Sequence, residues 1–146
     1  MANAMLREVV ALDGSVAISW LFHDERNAYA DSILTRLPNL ELVVPSLWHL
    51  EIANVLLVGE RRHRSTLSDT VNWLGFLAAL PIRVDPDTFQ RAWTGIMALA
   101  RAQNLSVYDA AYLELAQREG IPLATLDSQL LAATQAVGVA LYQPTP

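Results

Sequence analysis

Cysteine and lysine are both missing from the 146 residues. Without cysteine there is no disulfide, no cysteine–zinc site and no thiolate nucleophile, and the chain fits a reducing, cytoplasmic setting. Without lysine all formal positive charge rests on 10 arginines, set against 15 Asp and Glu, for a net charge of -5. That balance disfavours non-specific nucleic-acid binding. It leaves a nuclease open, because metal-ligating acids add to the negative count. Charged residues are scarce at 17% while apolar types reach 53%, which excludes disorder and provides for a real core. No membrane span is expected: the greasiest stretch, 42–58, is interrupted by Pro45, His49, Glu51 and Asn54. The beginning of the chain does not read as a secretory signal. No glycine-rich phosphate loop follows the first apolar segment, which argues against a dinucleotide-dependent redox enzyme.

What is present alternates. Short apolar segments at 9–12, 41–44, 82–84, 123–126 and 139–142 read as strands. Between them, helices are predicted over 15–22, 24–37, 47–60, 66–80, 87–102, 106–119 and 128–136. Ser46 stands where an N-cap belongs, Pro86 suits a first turn, and Gly120 suits the position just past a helix end. Alternating strands and helices predict an α/β domain with a parallel sheet covered on both faces. One domain is expected over 1–146, with its core at about 9–142 and a loose tail at 143–146. Ligands of such sheets bind beyond the carboxyl ends of the strands, where the strand order reverses.

Four carboxylates matter against that frame. Asp13 closes the first strand and Asp127 the fourth, and each has an ordinary alternative role as a turn or cap residue. Asp109 lies three residues after Ser106, at capping-box spacing. Glu51 is harder to dismiss. Leu47, Leu50, Asn54, Val55 and Val58 follow a helical period, and Glu51 falls near that inward stripe. No arginine lies within one helical turn to pair with it, although a place at the stripe's edge, reaching water, also accounts for it. Two carboxylates 4 Å apart repel by roughly 4 kcal/mol at an effective dielectric of 20. Convergence of all four therefore calls for protons or divalent cations. Oxygen-only ligands suit Mg²⁺ or Mn²⁺. The matching chemistry is phosphodiester hydrolysis, one ion activating water and another stabilising the leaving oxygen. Asp13 and Asp109 are the expected shared ligands. Glu51 and Asp127 would hold water or a second ion, with Ser15 and Asn54 supporting them. A DNA nuclease, a phosphatase and a non-catalytic binding module are the alternatives.

The segments Leu12-Asp13-Gly14-Ser15, Leu50-Glu51-Ile52-Ala53-Asn54, Val107-Tyr108-Asp109-Ala110-Ala111 and Thr125-Leu126-Asp127-Ser128 resemble, in order and spacing, the motifs of PIN-domain nucleases. In particular they resemble the VapC-type toxins of toxin–antitoxin pairs, over about residues 9–139. The resemblance implies a three-layer α/β/α domain with a mostly parallel, roughly five-stranded sheet. It implies a Mg²⁺- or Mn²⁺-dependent endoribonuclease acting on tRNA, rRNA or mRNA. It assigns the acidic positions to Asp13, Glu51, Asp109 and Asp127, with Ser15 as the accompanying hydroxyl. It also implies a homodimer, silenced by a cognate antitoxin whose C-terminal segment covers the active-site groove.

Other residues carry weaker expectations. Arg61, Arg62 and Arg64, with His63, form a basic knuckle that is either a phosphate grip or a solvated helix end, with Glu60 and Arg64 spaced to pair. His49 reads as an ordinary polar-face residue. Trp20, Trp48, Trp73 and Trp93 read as packing residues. Phe76, Leu77 and Leu80 belong either to an interaction surface or to the core.

Overall fold

The computed structural model describes residues 6–145; of the expected domain and tail, residues 1–5 and Pro146 lie outside them. Four parallel strands, β1 (Glu8–Leu12), β2 (Leu40–Val44), β3 (Ile82–Val84) and β4 (Leu123–Ala124), form one sheet in the order β3-β2-β1-β4. Helices cover it in a three-layer α/β/α arrangement. Val10–Leu12 of β1 are buried on both faces, so from Val9 onward the strand is a continuous apolar run and does not alternate. Val10 pairs with Leu42 and Leu12 with Ala124, which fixes the register at the centre of the core. The strand order reverses beside β1. The crevice at the switch therefore opens between the ends of β1 and β4.

The sheet has four strands where about five were expected. Segment 139–142 contributes one bridge, Leu123 to Leu141, because β4 is two residues long and offers no further ladder. Tyr142 is still pinned: its N–H donates to Leu123 O at 2.8 Å, and its carbonyl accepts from the Tyr29 hydroxyl at 2.7 Å.

The helices are α1 (Gly14–Leu21), α2 (Ala28–Leu34), α3 (Trp48–Arg61), α4 (Leu67–Ala78), α5 (Thr88–Arg91), α6 (Met97–Gln103), α7 (Val107–Glu119) and α8 (Ser128–Val137). Three boundaries differ instructively from the sequence pattern. The segment 24–37 is not one helix. A 3₁₀ turn spans His23–Glu25, and α2 begins only where the Asn27 side chain accepts from the Tyr29 and Ala30 amides. Ser46 does not cap α3; its amide donates to Thr88 Oγ1 and the helix starts behind Leu47. The stretch 87–102 is interrupted by a π turn at Ala92–Ile96, where Gly95 lies against the Glu114 side chain of α7.

The buried stripe of α3 is Trp48, Ile52, Leu56 and Gly59, rotated from the predicted one; Leu50 is 76% exposed and Asn54 is also exposed. Close approach sets the rotation. A Cβ on Gly59 would fall 2.9 Å from Ser65 Oγ and 3.2 Å from the Phe22 ring, so a glycine must face this contact. Trp20, Trp48 and Trp73 pack as expected, whereas Trp93 is 87% exposed. Among the described residues no helix is long and apolar enough to cross a membrane.

Beneath α7 lies a charged group. Arg118 Nη2 donates to Asp85 Oδ2 at 2.6 Å and Arg118 Nε to Glu114 Oε1 at 2.9 Å, and Arg91 stands 3.7 Å from Glu114. Burial alone would raise the Asp85 carboxyl, but Arg118, the Asp87 amide and the Thr88 hydroxyl outweigh it and hold it below the ordinary range. Breaking such a pair leaves a buried charge uncompensated. Replacing Arg118 by Met is expected to cost about 3 kcal/mol in urea unfolding at pH 7. Because the folded Asp85 pKa is depressed, its contribution is complete above the unfolded value of 3.8 and is lost as pH falls through the folded one. The penalty of Arg118→Met is thus expected to shrink below about pH 4.

Candidate metal centre

Asp13 follows β1 at the switch crevice and is 6% exposed. Its Oδ2 accepts from Ser15 Oγ at 2.6 Å and from Thr125 Oγ1 at 2.8 Å. Ser15 Oγ in turn accepts from the Leu126 amide at 3.0 Å, and Thr125 Oγ1 from the Asp127 amide at 3.0 Å. The Asp13 amide also donates to Ala124 O. One carboxylate thus fastens the start of α1 to the loop after β4. Burial raises the Asp13 pKa, the Ser15 and Thr125 hydroxyls pull it back, and the charge of Asp127 raises it further.

Asp127 occupies the N-cap of α8, its Oδ1 accepting from the Leu130 amide at 2.9 Å. Its capping role and its nearness to Asp13 coexist. Asp109 is half-buried in the first turn of α7, where its amide donates to Ser106 Oγ at 3.0 Å. Burial raises its pKa first, followed by the charges of Asp13 and Asp127. Glu51, in the first turn of α3, is half-buried beside the apolar stripe and accepts from the Tyr112 hydroxyl at 3.2 Å. Its pKa is raised by burial, lowered by Tyr112, and raised again by Asp13 and Asp109. Each of the four acids therefore lies within electrostatic range of another member of the group.

Electrostatic range is not ligand range. Among the described residues no three His, Cys, Asp or Glu side chains form a group placed to hold a metal ion. The oxygen donors fit Mg²⁺ or Mn²⁺ in chemistry, while the four side chains do not form a closed ligand set. Asn54 makes no hydrogen bond to them; it lines a separate shallow depression with Val55, Arg62 and Arg64. Arg64 is engaged elsewhere, donating to both Asp24 oxygens at 2.8 and 3.0 Å and lying over the Phe22 ring. It does not pair with Glu60, which accepts from the Thr70 hydroxyl. Arg61 and Arg62 are exposed, and exposed His49 stacks edge-on to Trp48.

Three contributors escaped the sequence reading. Tyr112 lies three residues beyond Asp109, on the same helix face, a spacing that was available as a signal. Thr125 is a buried hydroxyl two residues before Asp127. Arg26 lines a cavity of about 470 Å³ that also touches Ser15 and Glu51; nothing local in the sequence marks it.

The PIN domain family model matches residues 10–135, and the chain belongs to that family. Its structure is similar to that of PAE2754 from Pyrobaculum aerophilum, at 24% identity and a TM-score of 0.65, covering 96% of this chain and 87% of that one. It is also similar to VapBC2 from Rickettsia felis, solved bound to a DNA fragment from the promoter, at 13% identity and a TM-score of 0.62. FitAcB from Neisseria gonorrhoeae is similar at 17% identity and a TM-score of 0.53. In both of the latter, 92% of this chain and 97% of the other are covered. Comparison with curated proteins gives no match.

Because the Asp109 pKa is raised, its ionised form costs stability above the folded pKa, and that cost disappears below the unfolded value of 3.8. In metal-free protein, Asp109→Asn is expected to raise the thermal midpoint at pH 7 by about 2 °C. At pH 3 the two proteins should melt together, which differential scanning fluorimetry will show.

Proposed function

We propose that this protein is a metal-dependent endoribonuclease acting as the toxin of a toxin–antitoxin pair. The observation that carries the reading is the gathering of Asp13, Glu51, Asp109 and Asp127 near the strand-order switch, where burial raises the first three carboxyls and a neighbouring acid raises each of them further. Charges of one sign are gathered there at a cost that a divalent cation would offset. PIN domains are generally nucleases, which agrees with this electrostatics.

In this reading Asp13 and Asp109 hold Mg²⁺ or Mn²⁺, and Glu51 and Asp127 hold water or a second ion. A divalent cation held by these residues would supply activation of water and stabilisation of the leaving oxygen at a phosphodiester. The protein's own part is positional. Ser15 and Thr125 orient Asp13 by donating to one of its oxygens and leave the other free of such bonds. Tyr112 donates to Glu51 and holds it at the edge of the apolar stripe. Asp127 is immobilised by its bond to the α8 amide, so its second oxygen presents from a fixed frame. The order of the four motifs supports the toxin assignment, and likeness of fold to VapBC2 and FitAcB accords with it. A cognate antitoxin and a second copy of the chain are the partners that follow.

Purified protein is expected to cleave RNA with Mg²⁺ or Mn²⁺ and to stop when EDTA is added. Asp13→Asn and Asp109→Asn should each lower the rate at least a hundredfold, about 2.7 kcal/mol in barrier, while circular dichroism is retained. Calorimetry should show weakened Mn²⁺ binding in both variants. Cleavage of DNA or a phosphomonoester in preference to RNA would replace the substrate assignment. Unchanged metal affinity in both variants would replace the enzyme with a binding module.

A further inference from the structure

We propose that the cavity between α1, the 23–25 turn and α3 is a nucleotide subsite, where an RNA base rests on Ile18, Ile52 and Val55 and its phosphate meets Arg26. The proposal rests on the nuclease reading and extends it to how the substrate is held. The cavity, about 470 Å³, is of the size that takes small organic groups. It shares Ser15 and Glu51 with the acidic centre, so an occupant lies beside the Glu51 carboxylate. Its apolar floor suits the face of any base, without sequence preference.

The phosphate assignment comes from charge. The acidic centre repels a polyanion, and the lining of this cavity holds one cation, Arg26. Arg26 is more than half exposed and meets Asp31 only at 3.5 Å, an exposed pair worth little, so its guanidinium is free to engage a phosphate. Asn27, beside it, spends its side-chain oxygen on capping α2 and keeps its amide hydrogens for a ligand. Glu25 is the opposing charge on this wall, and Arg64, 3.5 Å away, compensates it. Val55 also lines a smaller depression of about 200 Å³, which Arg62 helps to line. A strand leaving the cavity along α3 thus meets a second arginine.

The test is binding of a non-cleavable 2′-O-methyl phosphorothioate hexaribonucleotide to the full chain, followed by fluorescence anisotropy across a salt series and by methyl NMR. Arg26→Glu is expected to weaken binding about tenfold and to lower the slope against log salt by about 1. Arg7→Glu makes the same charge change just before β1, at the amino ends of the strands and away from the crevice, and should change affinity less than twofold. The Ile18, Ile52 and Val55 methyl signals should move on addition. Equal losses from the two variants, or methyl signals that stay fixed, would overturn the subsite. So would an arginine-containing peptide that moves those signals where the oligonucleotide does not. Wild-type RNA cleavage is scored separately. Cleavage that survives Arg26→Glu with unchanged KM and kcat overturns the subsite alone; Arg26-dependent binding without any cleavage supports the subsite and overturns the nuclease.

Discussion

The Asp13 carboxylate, buried between two hydroxyls at the point where β1 and β4 part, is the interaction on which this structure turns. An ionised group in that position is unfavourable by desolvation. Its Oδ2 is held by Ser15 from α1 and Thr125 from the loop after β4, and each hydroxyl is itself anchored by a backbone amide. This five-membered relay brings residues more than a hundred positions apart into one frame. It ties α1, β1 and the entry to α8 together. Loosening it would displace the functional crevice and the strand-order switch together, because they are the same place.

Electrostatics elsewhere is arranged to tolerate that centre. Asp85, Glu114, Arg118 and Arg91 form a neutralised group under α7, where donors and acceptors match closely. The acidic centre is the opposite case: burial first and neighbouring acids second raise the carboxyls of Asp13, Glu51 and Asp109, and the hydrogen bonds that pull them back come from hydroxyls and an amide. α7 joins the two regions, carrying Asp109 and Tyr112 toward the first and Glu114 and Arg118 into the second. A helix so fixed at one end presents its other end rigidly, which a site made of repelling groups requires.

With ten arginines and no lysine, the placing of each cation counts. Arg64, Arg83 and Arg118 are engaged by acids, Arg64 also stacking on Phe22. Within the basic knuckle at 61–64, Arg64 is thus engaged while Arg61 and Arg62 are exposed. Arg26, between a 3₁₀ turn and a capped helix, instead shares a cavity with Glu51.

The amino-acid order by itself carried the α/β class, most helix positions, the Asp13–Gly14 junction, and the Ser106 and Gly120 helix ends. These are legible because strand hydrophobicity, caps and left-handed glycines are local properties, set by neighbours a few residues away. The true inward face of α3, the π turn at 92–96, the two-residue length of β4 and the parts played by Thr125, Tyr112 and Arg26 were decided by tertiary structure. Each depends on a contact between segments distant in the chain: Gly59 against Phe22, Gly95 against Glu114, Tyr112 against Glu51. Periodicity can show that a helix has an apolar side, but only the packed neighbour selects which of several neighbouring rotations is buried.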